Sequence, residues 1–525
     1  MDTSNVNELE QLGSFEISDQ MLKLAQKNQR KNIFLNAGRG NPNWINKKAR
    51  IAFNRLVEFG VQESERTLSQ ADLVGCPEKE GILKRFKHFL TAETETDHFL
   101  LEILDYTDGL KIDNEDLVKE LIDGVLGNNY PVPSRVLKNS ELILNQYLES
   151  TLYNGKKLAD QTQIFPTEGG TAAIVYIFQS LKANKLIQPG DRIAINTPIF
   201  TPYLQIPELA DYELVEVDLH SAEENHWDLL PKEIDRLNDA KVKALFIVNP
   251  SNPGSKALNS NALAAIREVV QKNPDLMIIT DDVYGTFVED FQTIYAVAPY
   301  NTLLVYSFSK LFGATGWRVG LIAAHKDNVF DRLIHQLPEK ERAQLIKRYD
   351  LVVLEPKKLP FIERMVADSR SIGLYHTAGL STPQQIMEVL FALTHLLAGD
   401  SDPYIETSRA IVAERYKELF AALQLPTDDG KENSKYYALV NIYQLAEEKY
   451  GKEFRHYLAT HFEYMDFLKT LAEKEGVVLI DAVGFGAIAG ELRVSEANLP
   501  AKDYRLIGHE ILKVLKEYHD EFLAK

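Results

Sequence analysis

Cysteine is almost missing from this chain: Cys76 is the single thiol in 525 residues, which excludes an intramolecular disulfide and any cysteine-rich metal site. Glycine and proline are sparse, at 28 and 21 residues, so a collagen or a low-complexity polymer is excluded as well. No apolar run approaches the length of a bilayer crossing, and the opening MDTSNVNELEQLG lacks the basic region and apolar stretch of a signal peptide. Basic charge is in deficit. With 58 Lys and Arg against 76 Asp and Glu, the net charge of −18 repels phosphate backbones and anionic membrane surfaces. The 12 histidines form no spaced ligand cluster, so no metal is expected. What the chain does have is apolar side chains, 45% of residues, enough to offset the entropy cost of ordering. These observations lead to the expectation of a soluble cytoplasmic protein with no nucleic-acid or membrane partner, and the length favours more than one packed unit.

Between about Phe165 and Ala324, short β-branched runs alternate with amphipathic helical stretches, the pattern of a mainly parallel sheet covered on both faces. The strand candidates are 191–196, 243–248, 276–280, 301–306 and 319–324, with a helix over 258–272. Upstream, residues 60–127 read as helical; Leu117, Val118, Leu121, Ile122, Val125 and Leu126 share one face, and Asn114 is placed to cap it. Downstream, 436–443, 477–480 and 491–495 look like strands, and Ile507, Ile511, Leu515 and Phe522 form the stripe of a last helix. The expected division is an N-terminal arm and helical insertion (1–127), a large α/β domain (128–385) and a smaller α+β domain (386–525). No internal repeat or flexible linker interrupts it.

The most informative stretch is Tyr306-Ser-Phe-Ser-Lys310-Leu-Phe-Gly-Ala-Thr-Gly-Trp-Arg318-Val-Gly320. A lysine at a strand end can hold an aldehyde as a Schiff base, while Ser307, three residues before, and Arg318, eight after, bind a phosphate. Alone, an S-x-x-K carries little weight. A second anion site is offered by Glu168-Gly169-Gly170-Thr171, a glycine turn running straight into a helix whose apolar positions are Ile174, Val175, Ile177, Phe178 and Leu181. Two more strand ends carry Asp281-Asp-Val-Tyr284 and Asn249-Pro-Ser-Asn252-Pro-Gly. A carboxylate beneath a pyridine ring keeps the ring nitrogen protonated, and a tyrosine and an amide can bond its phenolic oxygen. Acidic and Asn-Pro turns often close parallel strands without function. Four complementary turns at strand ends of one sheet argue against that reading here.

Together these residues resemble the fold-type I aminotransferases, which use pyridoxal 5′-phosphate. Leu35-Asn-Ala-Gly38-Arg39-Gly40-Asn-Pro, Asn129-Tyr130-Pro-Val-Pro-Ser and His376-Thr-Ala-Gly-Leu-Ser-Thr-Pro-Gln-Gln385 extend the likeness over nearly the whole chain, toward the aspartate 4-decarboxylase subgroup. By position, the resemblance implies that Lys310 is the Schiff-base lysine and Asp281 the partner of the pyridine nitrogen. It places Tyr284 and Asn252 at the phenolic oxygen, Phe200 on the ring face, and Gly169, Gly170, Ser307 and Arg318 at the phosphate. Tyr130 is implied to reach a neighbouring subunit's phosphate, in a homodimer that can build higher assemblies. Arg493 falls where the family binds the substrate α-carboxylate. Gly38 and Arg39 form the turn offered for the side-chain carboxylate. Where members of the subgroup carry an arginine before Gly-Phe-Gly, this chain has Val483.

The activity implied is conversion of L-aspartate to L-alanine and CO2, with side aspartate aminotransferase activity; the alternative is an aspartate aminotransferase in the main. A third possibility, a regulator that keeps the fold as a sensor, would bring a basic DNA-binding module, and 1–60 in a chain of net −18 offers none.

Overall fold

The computed structural model describes residues 13–27, 34–91, 93–209, 212–377, 379–462 and 464–525. The N-terminal helices include α1 (Ser14–Lys27), α2 (Lys47–Thr67), α3 (Glu95–Gly109) and α4 (Asn114–Leu126), with a shorter helix, Ile82–Phe89, between α2 and α3. The cap of α4 is Asp113, not Asn114: its carboxylate accepts from the amides of Glu115 and Asp116, a stronger partner for a helix N-terminus than a neutral amide. Asn114 turns back instead, accepting from the Thr107 hydroxyl and donating to the Leu104 carbonyl, and so ties α4 to the end of α3.

Helix α5 (Lys138–Leu152) leads into a seven-stranded sheet of β1 (Thr162–Thr167), β2 (Arg192–Thr197), β3 (Val215–His220), β4 (Val242–Val248), β5 (Met277–Asp281), β6 (Thr302–Ser307) and β7 (Gly320–His325). Their order is β1-β7-β6-β5-β4-β2-β3. Only β7 runs against the others, between β1 and β6. The five expected strands are all present, and β1 and β3 are additional: β1 has only Ile164 and Phe165 as an apolar run before Pro166, and β3 lies at the sheet edge with mostly exposed residues. In β4, Leu245 and Ile247 enter one core cluster and Phe246 and Val248 the other, so the strand is buried on both faces. On one face lies α6 (Gly170–Ala183), whose Phe178 ring stacks on Phe246 at a centroid distance of 4.4 Å. Ile174, Ile177, Phe178 and Leu181 are buried as expected, whereas Val175 is 39% exposed. On the other face, α7 (Ser260–Lys272) starts two residues later than expected, because Asn259 caps it through the amides of Asn261 and Ala262.

After α8 (Thr382–Ala398), α9 (Pro403–Leu423) spans two cores: Ile405 and Val412 pack in the large one, Leu419 and Leu423 in a smaller one. The smaller core is built on an antiparallel sheet, β8 (Tyr437–Asn441), β9 (Ile480–Asp481) and β10 (Glu491–Ser495), in the order β8-β10-β9. The strand expected to run to Tyr443 turns helical at Ile442, since Asn441 caps the next helix. Val477–Val478 leaves this sheet and pairs in parallel with Leu35–Asn36. The final helix α10 (Ala501–Leu523) buries Ile507, Ile511 and Leu515 there. Ile17 and Met21 of α1 enter the same core, so the first helix is packed into the C-terminal unit. No helix among the described residues is long and apolar enough to cross a membrane.

Candidate active site

Parallel strands deliver their carboxyl ends to one edge of a sheet, and five of them here end at a cavity of about 220 Å³. Because β7 runs the other way, the residues before its first turn, including Arg318, arrive at that same edge.

Lys310, three residues beyond the end of β6, is half-buried and donates from Nζ to the Gly40 carbonyl at 3.2 Å. Among the described residues no carboxylate forms an ion pair with it. Asp281 closes β5 and is fully enclosed; it accepts from Tyr203 Oη at 3.4 Å and from the Val283 amide at 3.3 Å. Burial pushes its carboxyl up to about 7, although the Lys310 charge pulls the other way. A buried acid this short of positive partners is suited to a cationic ring nitrogen. Tyr284 bonds the hydroxyl of Tyr437 at 2.9 Å, and Phe200 lines the wall that follows β2.

The anion cradle is set by close backbone packing. Gly169 has φ +86°, and a Cβ there would meet Arg318 Nη2 at 2.6 Å. One on Gly320 would meet the Tyr306 carbonyl at 2.8 Å and Gly169 at 3.0 Å. Gly170 then opens α6, whose first amides have no helical acceptor. Arg318 donates to the carbonyls of Thr315 and Glu168, and Ser307 Oγ to Ser309 Oγ at 3.0 Å and the Val319 carbonyl at 3.1 Å. Glycine turn, helix start, hydroxyls and guanidinium make a phosphate site, so lysine, buried acid and cradle together fit pyridoxal 5′-phosphate.

The opposite wall comes from the C-terminal unit. Arg493, on β10, is 1% exposed. Its Nη1 donates to Asn252 Oδ1 at 2.9 Å and its Nη2 to the Gly38 carbonyl at 2.8 Å, while Nε has no partner. Rings flank the guanidinium: Tyr437 at 4.4 Å and Phe485 at 4.7 Å. Both of its hydrogen-bond partners are neutral. A buried cation without a carboxylate among the described residues calls for an anionic ligand.

Two anticipated residues lie elsewhere. Arg39 does not line the cavity; it is half-exposed and donates to Asp19 of α1 at 2.7 Å. Tyr130 is 66% exposed on a separate loop beside Val132, which is 79% exposed. Conversely, Phe15, Thr171, Ser309, Thr315 and Tyr437 line the cavity without having been assigned to it. Tyr437 is placed by strand pairing: in the β8–β10 register Leu439 faces Arg493, so Tyr437, two residues away, stands on the same face. Val483 packs in the turn before Phe485 and is not part of the lining.

A serine–histidine–aspartate line occurs away from the cavity, with His395 Nε2 2.9 Å from Ser150 Oγ and Nδ1 3.1 Å from Asp402. Ser150 sits in the last turn of α5, the negative end of that helix, in a cleft walled by Glu149, Glu289, Asp290, Asp400 and Glu406. That field opposes a developing oxyanion, so the trio is better read as a tie between α5, α8 and the Asp402 cap of α9.

Comparison with known proteins agrees with this geometry. Residues 120–507 match the family model for aminotransferase class I and II. A Pseudomonas protein described as a bifunctional aspartate aminotransferase and L-aspartate beta-decarboxylase is 41% identical over 522 residues, 98% of each chain. An aspartate aminotransferase of Pyrococcus abyssi is 35% identical over 143 residues, 26% of this chain and 36% of that one. Among solved structures, a Thermus thermophilus aspartate aminotransferase mutant superposes with a TM-score of 0.62 at 16% identity, covering 95% of this chain and 96% of that one. By the extent of the family match and the full-length relative, this chain belongs to the class I and II aminotransferases.

Proposed function

We propose that this enzyme uses pyridoxal 5′-phosphate to convert L-aspartate to L-alanine and CO2, with aspartate transamination as a side activity. The observation that carries the reading is the pairing, in one cavity, of a lysine amine over a buried acid with an enclosed arginine that lacks a counter-ion. The full-length relative of that description supports the substrate.

When bound, the cofactor supplies an aldehyde that condenses with amines and a ring that accepts an electron pair. Lys310 would hold it covalently and, once released, take the proton from the substrate's Cα and return it. Asp281 would keep a proton on the ring nitrogen, and Tyr284 and Asn252 would bond the phenolic oxygen. Phe200 would cover the ring, and Gly169, Gly170, Ser307 and Arg318 would hold the phosphate. Arg493 takes the α-carboxylate through its two Nη groups, displacing Asn252 and the Gly38 carbonyl as partners. Arg39 serves the side-chain carboxylate by leaving Asp19. The exposed Tyr130 and Val132 suit a second copy of the chain, with Tyr130 completing its phosphate site in a homodimer.

Val483, standing where some members of the subgroup carry an arginine, is the observation that bears on the second reading, aspartate aminotransferase in the main. Purified enzyme given aspartate and no keto acid decides between them: alanine should appear in step with CO2, and oxaloacetate alone would defeat the first reading.

A further inference from the structure

We propose that Tyr437 is a catalytic acid of the decarboxylation, delivering a proton to the substrate's β-carbon as CO2 leaves. The proposal rests on the decarboxylase reading and adds a residue to it. In chemical terms, the Cβ–Cγ bond breaks, Cγ departs as CO2, and the electron pair left behind must end in a new C–H bond at Cβ. Transamination needs no such step. Lys310 serves the proton at Cα, and a phenol in the same cavity offers a separate donor for Cβ.

Tyr437 is placed for this. It heads β8 and lines the cavity. Its hydroxyl bonds Tyr284 Oη at 2.9 Å and lies against Gly40, where an added Cβ would collide with it while touching Lys310 Nζ at 3.3 Å. The two proton-bearing atoms therefore flank one small gap. Arg493 stacks on the same ring at 4.4 Å. The titratable and charged groups facing this phenol are Tyr284, Tyr436, Lys310 and Arg493.

Three buried tyrosines meet here and behave differently. Burial and neighbouring phenols push Tyr284 and Tyr436 well above the usual tyrosine range. Burial acts on Tyr437 too, but the charges of Lys310 and Arg493 and the bond from Tyr284 outweigh it and leave it below that range. A phenolate formed by giving up the proton is thus held beside the Arg493 guanidinium, and water restores the proton after product leaves.

The test is Tyr437→Phe in the holoenzyme, given aspartate without keto acid, with both products quantified. The alanine-to-oxaloacetate ratio should fall by about 10²-fold or more. In D2O the wild type should place deuterium at the alanine β-carbon. Difference absorbance near 295 nm during a pH titration should lose one early-ionising phenol in the variant, with the cofactor band retained. An alanine-to-oxaloacetate ratio equal to that of the wild type, or an unchanged phenol titration, overturns the proposal. A wild type that forms no alanine at all would instead remove the decarboxylase reading beneath it.

Discussion

The two walls of the cavity differ in how their residues are fixed. The sheet wall is made by chain ends: Asp281, Ser307 and Val248 are the last residues of adjacent strands, and the ladder that joins β4, β5 and β6 sets their spacing. The facing wall is made by register and by distant contacts, with Arg493 and Tyr437 from two antiparallel strands and Phe15 from the first helix. In the proposed reaction the first wall serves covalent chemistry and electron withdrawal, while the second recognises the dicarboxylate and, through Tyr437, serves its β-carbon. Substitutions on the first should therefore abolish turnover, and those on the second should alter which substrate or product is chosen.

The largest effect is expected from Lys310→Ala, which should eliminate the yellow cofactor band and lower turnover by about 10⁴-fold or more. Persistent activity with the borohydride-reduced label on another residue would break the comparison at its root. Next, Arg493→Ala should raise KM for aspartate by about 10²-fold, near 3 kcal/mol for losing a buried charge-assisted fork, with cofactor colour intact. A kcat loss at unchanged KM would move Arg493 to the chemical wall.

Smaller in effect is Gly320→Ala, whose methyl crowds Tyr306 and Gly169; a cost of roughly 1–3 kcal/mol should appear as weaker cofactor binding by fluorescence titration. Finally, pH sharpens the role of Asp281. Its carboxyl is raised from 3.8 to about 7, so the cofactor-free fold holds a proton there that the unfolded chain has already lost. That contribution is complete below about pH 4 and fades as pH rises through 7; Asp282, raised to about 8 by burial, adds to the same trend. A bound ring cation neutralises Asp281, so the gap in melting temperature between loaded and cofactor-free enzyme should widen from pH 6 to pH 8. An equal gap at both values would contradict the pairing.

These differences also decide what could be read in advance. Lys310, Asp281 and Asn252 announce themselves because a strand run into a turn is a local pattern, and burial on both faces of β4 to β6 makes the runs plain. Tyr437 and Phe15 do not, since their places depend on pairing between segments far apart in the chain. The likeness to aminotransferases reached Arg493, but could not reveal that Arg39 rests on Asp19. Local electrostatics set the remaining departures. Asp113 outcompetes Asn114 at a helix start, and Asn441 ends β8 by capping the helix that follows.

Helix α1 carries Phe15 over the cavity while its Ile17 and Met21 are rooted in the C-terminal core, and its Asp19 grips the turn that bears Arg39. Phe15, the strand bearing Arg493 and, through Asp19, Arg39 thus depend on one C-terminal core, so any shift of that core would carry all three together.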